Sequence, residues 1–214
     1  MNEVADLMVV LMAMTNLILL GTARLTLGVR LVGAQGALAG AYMFAANAEH
    51  PTVHVLALSA LIIVAKGLVF PKVLLRTLEK AEARHEMEPY VPYSASILLG
   101  MVMLASSVWV SSRLPIAGLT IPPSAVPISI WTMFTGLFLV VARRAALTQV
   151  FGYLVLENGI YVFGAAIAGE MPFLVEMGAL LDVFVAVFVM GVAVFHISRE
   201  FEHMDTDRLS VLRD

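Results

Sequence analysis

The chain of 214 residues contains no cysteine. Without thiolates it has no disulfide framework, no Cys-rich zinc site and no thiolate-bound iron–sulfur cluster. Charge is also scarce. Asp, Glu, Lys and Arg make up 14% of the sequence, where a soluble domain carries about a quarter. The net charge is −3 and no basic patch is present, so nucleic acid is not expected as a partner. The opening residues, MNEVADLMVV, hold no Lys or Arg. They lack the basic region of a secretory signal and are read as a retained first helix. The five histidines, His50, His54, His85, His196 and His203, all fall at the surface or at the ends of apolar runs, and none pairs with another at one depth as a bis-histidine haem needs. No cofactor is therefore expected in this chain.

What the sequence has is apolar residues, 60% of the total. A membrane-spanning helix needs roughly 20 of them in a run. Seven such runs are expected, at about 4–23, 28–46, 52–72, 93–111, 126–142, 149–168 and 173–195. The fold class is all-α, a polytopic membrane protein. Pro51, Pro92, Pro127 and Pro172 stand at span starts, where a missing N–H is tolerated. With seven spans, one side collects Arg24, Arg30, Lys72, Arg76, Lys80, Arg84, Arg143, Arg144, Arg199, Arg208 and Arg213. Arg113 stands alone on the other side, and Lys66 lies within a span. By the positive-inside rule the crowded side is cytoplasmic. The N-terminus is then expected outside and the C-terminus inside, in a plasma (inner) membrane.

The expected organisation is a four-helix half over 1–111, an external Pro-rich linker over 112–125, a three-helix module over 126–197 and a cytoplasmic tail over 198–214. Residues 73–91 read as a charged helical extension of the third span, either a solvated helix or a docking surface. Gly36 and Gly40, with Gly33 nearby, form a small-residue stripe that lets helix backbones approach. Gly152, Gly159 and Ala166, seven apart, read as a second packing seam. Trp109, Tyr90 and Tyr93 fall near span ends, where aromatic anchors collect.

Three ionisable groups lie deep in the spans: Lys66, Glu157 and Asp182. A charge at that depth costs ~3 kcal/mol on insertion scales, so such residues are rare and usually functional. Glu157 and Asp182 sit at similar depth on helices joined by a short loop. Pro71 cannot donate to the carbonyl of Gly67, so a local break of the helix is expected at Lys66–Gly67. Two readings are open. One is a proton relay, because burial disfavours charged forms and lets groups exchange protons nearer neutrality. The other is a buried ion pair or hydrogen-bonded cluster that only orients helices. Asn158 and Tyr161 stand ready to hydrogen-bond in either case. Glu176, Asp6 and Arg30 lie near span ends and are read as reaching water. His196, at the cytoplasmic end of the Asp182 span, is a candidate for proton uptake because imidazole titrates near neutrality.

The segment VVARRAALTQVFGYLVLENGIYVFG, with MGALLDVFVAVFVMG after it, resembles the small K subunit of respiratory complex I. Arg143, Arg144, Gly152 and Asn158 fit that pattern, and Asp182 takes the place of its third-helix acid. Glu157 departs from it, coming five residues after the glycine rather than about two. FGYLVLENG, PFLVEMGALLDVFVAVFVM and Ala65-Lys66-Gly67 with Pro71 resemble hydrogenase-4 component E, a membrane subunit of energy-converting hydrogenase complexes. That resemblance implies a non-catalytic subunit whose partners are antiporter-like membrane subunits, a membrane anchor subunit and cytoplasmic hydrogenase and iron–sulfur subunits. With the buried charges read as a relay, the expected proton path runs through Lys66, Glu157 and Asp182, with Asn158, Tyr161, Glu176 and His196 as candidates for support. A subunit of a multisubunit cation/proton antiporter and a purely structural assembly scaffold are the alternatives. A retinal protein with Lys66 as Schiff-base lysine is disfavoured, since the third span offers a single aromatic, Phe70, around it.

Overall fold

A computed structural model describes residues 3–46, 53–80, 89–114, 123–143 and 146–167. All regular structure among them is helical. The helices are α1 (Glu3–Gly21), α2 (Leu25–Ala46), α3 (Val53–Val64), α4 (Phe70–Lys80), α5 (Tyr93–Ser111), α6 (Ala125–Ala142) and α7 (Ala146–Ile167). One π-helical turn, Ala65–Val69, joins α3 to α4 without interrupting the rod.

Among the described residues, five helical stretches are long and apolar enough to cross a membrane, not the seven expected: Glu3–Gly21, Val55–Arg76, Tyr93–Ser111, Ala125–Ala142 and Thr148–Ile167. The remaining two expected spans differ in kind. The second is present as α2, with 22 residues, but Arg30, Gln35 and its glycines hold its apolar character below that of its neighbours. The reason is its position: α2 packs on α1, α3, α4 and α7, so most of its surface meets protein rather than solvent or lipid. The seventh, 173–195, lies outside the described residues, as do Glu176, Asp182 and His196.

The two small-residue stripes have definite partners. A Cβ on Gly36 would stand 2.6 Å from Lys66 Cβ, and one on Gly40 2.7 Å from Ile63 Cγ1; one on Gly33 would strike Pro71. So α2 lies directly against the Lys66 rod. The second stripe seats α7 on α6. Cβ atoms on Gly152 and Gly159 would lie 2.6 Å from Val140 N and 2.7 Å from Met133 N, backbone against backbone. Such closeness trades side-chain bulk for main-chain dispersion contacts. The expected linker separates stretches that pack together: α6 rests on α1 and α5, and α7 on α2.

Two apolar clusters fill the bundle, one above the other. The first joins Val9, Met12, Tyr42, Ile62, Ile130 and Val162. The second joins Leu19, Val29, Leu74, Leu139, Phe151 and Val155. The charged extension continues as α4 to Lys80, where Leu74 and Leu78 bury one face and Lys72 and Arg76 are exposed. At the same end of the bundle Arg143 is fully buried. It donates to Leu20 O and Val91 O, both at 3.2 Å, and lies 4.7 Å from the Tyr93 ring centroid. One cation thus binds the C-terminus of α1 to the start of α5. Burial lowers its pKa from the usual guanidinium value, with Tyr93 opposing.

Candidate functional site

Every helix of the inner bundle changes character at one level. On α1 the first cluster ends at Met12 and the second begins at Leu19, with buried Thr15 and Asn16 between. On α2, Gln35 separates Val32 from Ala39. On α6, Thr132 and Thr135 separate Ile130 from Leu139, and on α7 Glu157 and Asn158 separate Val155 from Tyr161. Lys66 occupies the same level on the third rod. The result is a polar layer enclosed between two apolar ones, near the middle of α7, where Glu157 is about 16 Å from either end at ~1.5 Å per residue.

Lys66 Nζ lies 3.5 Å from Glu157 Oε1, with side chains 6% and 3% exposed. The pair is sealed from outside by its own helices. Lys66 Nζ also stands 5.8 Å from the centroid of Tyr161, one turn beyond Glu157, in cation–π geometry. The Tyr161 hydroxyl donates in turn to Met43 Sδ on α2. The backbone beneath Lys66 is the π-turn, closed by the Phe70 N–H donating to Ala65 O. The expected break at Lys66–Gly67 is therefore a widened turn rather than a gap. Its cause is the missing N–H of Pro71: with no donor for the Gly67 carbonyl, the ladder shifts by one residue instead of opening. Wide turns of this kind recur at functional sites.

A hydrogen-bonded ladder crosses the layer. Asn158 Nδ2 donates to Gln35 Oε1 at 3.4 Å. Gln35 Nε2 donates to Asn16 Oδ1 at 2.8 Å and to Thr15 Oγ1 at 2.9 Å. Asn16 Nδ2 donates to Thr132 Oγ1 at 2.8 Å. Both hydroxyls end on main chain: Thr15 donates to Met12 O and Thr132 to Ile128 O. Four helices are thereby tied through side chains alone, in a setting where each unmade bond costs ~1–3 kcal/mol.

The structure brings together Lys66, Glu157, Asn158 and Tyr161 of the expected residues. Glu157 meets Lys66, 91 positions away in sequence, at 3.5 Å. Asp182, Glu176 and His196 lie outside the described residues. Asp6 accepts a hydrogen bond from Ser124 Oγ at 2.9 Å. Sequence inspection missed Asn16, Gln35 and Thr132. The available signal was the isolated amide in an otherwise apolar run, which looks like tolerated polarity until its partners on other helices are known.

No family model matches the chain, and no solved structure matches it. An uncharacterized protein of Mycobacterium tuberculosis is 32% identical over 189 residues, covering 87% of this chain and 85% of that protein. Hydrogenase-4 component E of Escherichia coli K12 is 34% identical over 113 residues, 53% of this chain, and the Shigella flexneri protein of that name gives the same figures. The chain spans about half the length of these component E proteins, 51%. The chain therefore belongs to the family of the Mycobacterium tuberculosis protein, and it shares 34% identity with hydrogenase-4 component E, the family its motifs resemble.

Proposed function

We propose that this chain is a non-catalytic membrane subunit of a redox-driven, ion-translocating complex of the energy-converting hydrogenase kind, and that Lys66 and Glu157 belong to its proton path. The Lys66–Glu157 pair carries this reading: opposite charges 3.5 Å apart, buried at mid-bundle. Replacing such a pair with packed apolar residues is often neutral or stabilising, so its presence in a membrane argues for use. The component E similarity supports the type of complex. Asp182 continues the path on the following span, with Glu176 and His196 toward its ends. The chain sits in the plasma membrane with its N-terminus outside, since Arg24, Arg30, Lys72, Arg76 and Arg143 gather at one end of the bundle. Residues 1–111 and 126–197 form its two halves, the second akin to the complex I K subunit. Antiporter-like subunits, an anchor subunit and hydrogenase and iron–sulfur subunits are its partners, and the redox chemistry is theirs.

A protonation change at Glu157 releases or restores the attraction to Lys66, which makes the pair a two-position element for a moving proton. Glu157→Gln keeps shape and removes the charge. Its amide oxygen can still accept from the Lys66 ammonium, so the complex is expected to assemble in normal yield, and proton translocation in inverted vesicles falls at least ten-fold. Normal translocation in that variant overturns the relay role. A scaffold role instead predicts lower yield of the complex with translocation per complex unchanged.

A further inference from the structure

The ladder has a direction, and the direction has a chemical result. Thr15 and Thr132 spend their only protons on main-chain carbonyls, Met12 O and Ile128 O. Each hydroxyl is left as an acceptor. Asn16 must then turn its Nδ2 to Thr132, which leaves Oδ1 to accept. Gln35 must turn its Nε2 to both Asn16 Oδ1 and Thr15 Oγ1. Its Oε1 is left facing Asn158, which answers with Nδ2. Neither Asn16 nor Gln35 can flip without losing a bond at both sides, and Asn158 cannot flip without losing its bond to Gln35. The outcome is fixed at the far end: Asn158 Oδ1, on a side chain 1% exposed, is an acceptor with no hydrogen-bond partner among the described residues.

We propose that Gln35 is a positioning residue that locks Asn158 with its carbonyl oxygen outward, creating beside the Lys66–Glu157 pair a site for a hydrogen-bond donor, a proton-carrying water. This rests on the proton-path reading above and names the ligand of that site. Neighbourhood supports it. Gln35 touches Asn158 while the adjacent Gly36 touches Lys66, and Asn158 follows Glu157 directly, so oxygen and ion pair share one layer. A buried carbonyl oxygen is seldom left without a donor, and water is the donor that also carries protons. A hard metal cation gathers about six oxygen ligands. Here an ammonium already stands at the carboxylate, and of the ladder's amide oxygens Asn158 Oδ1 alone has no hydrogen-bond partner among the described residues, so the layer suits a proton and not sodium.

The test uses the intact complex in inverted membrane vesicles, with reduced methyl viologen as electron donor, and reads translocation per electron transferred. Gln35→Met removes all three of its ladder bonds at similar volume and frees Asn158 to turn. Translocation per electron falls about ten-fold while viologen oxidation continues. Adding Asn158→Asp, whose two oxygens present an acceptor in either orientation, restores at least half of it. A simple loss of fold lowers both readouts together and is not reversed by the second change. Should Gln35→Met fail to assemble, Thr132→Val releases the ladder from its distal end and lowers the ratio two- to five-fold. An unchanged ratio in the assembled Gln35 or Thr132 variant overturns the positioning role. Uptake of radioactive sodium in place of protons overturns the choice of ligand. If Glu157→Gln abolishes translocation while Gln35→Met does not, only this inference fails; if Glu157→Gln is without effect, the proton path itself fails.

Discussion

Helices α2 and α5 are of similar length and are opposites in use. Of the 19 residues of α5, the buried ones are Ser96, Gly100 and Ser107. Its outer face carries Leu98, Met101, Val102 and Val108, all at least half exposed. Helix α2 buries twelve residues, among them Gln35, Gly36 and Gly40. So a helix apolar enough to span a membrane is the least buried of the five such stretches, and the helix that organises the bundle reads as weakly apolar. Without water in the bilayer, apolar side chains gain little by meeting each other, and association runs on close backbones and internal hydrogen bonds. Hydropathy therefore identifies what touches lipid, whereas glycine and lone amides identify what touches protein.

The largest effect follows from breaking the interior side of that contrast. Gly152→Leu forces a side chain into main-chain atoms of α6, Val140 N and Gly136 O, neither of which can give way. Overpacking typically costs ~1–3 kcal/mol, and immovable backbone puts this case at the upper end or beyond. The variant is expected to be absent from the purified complex, as read by subunit stoichiometry after mild detergent extraction. Gly100→Ala on α5 meets only the tip of Leu20, a side chain that can rotate aside, and the complex survives it.

Next comes the charge pair. Lys66→Met leaves Glu157 in the polar layer without its cation, and removing one partner of a buried pair costs ~3–5 kcal/mol. Adding Glu157→Gln is expected to recover more than half of that loss. Thermal unfolding of the detergent-purified complex with each single variant and the double variant gives the coupling. A double-variant loss equal to the sum of the two single losses would mean that the two side chains do not interact, and the polar layer would lose its electrostatic centre.

How far these features were legible in the sequence follows the same division. The lipid-facing helices were readable almost to the residue, because an unbroken apolar run of roughly 20 residues matches the thickness of a bilayer and suits little else; α5 occupies 93–111 as expected. Lys66 and Glu157 were each conspicuous as charges in apolar runs. Their pairing was not, because no local pattern connects positions so far apart in the chain, and depth alone suggested Asp182 as the neighbour of Glu157. Pro71 announced a disturbance but not its form: the lost N–H is visible in sequence, while the π-turn and the packing of Gly33 on Pro71 and Gly36 on Lys66 are not. Asn16, Gln35 and Thr132 were silent. A single amide has the same sequence signature whether it is merely tolerated or has found three partners.

The smallest effect tests the outer side. Leu98 on α5 is 61% exposed and faces away from the bundle. Leu98→Ala removes apolar surface from lipid contact, leaves no cavity in the protein and touches no polar partner. Changes of that kind usually stay within ~0.5 kcal/mol, so yield and melting temperature of the complex should be unaltered. A clear loss of yield would mean that this face of α5 is covered by another subunit in the assembled complex. Its apolar character would then report a partner helix instead of lipid, and the contrast with α2 would become one between two interfaces of different chemistry, a dry outer one joined by side-chain bulk and an inner one joined by hydrogen bonds.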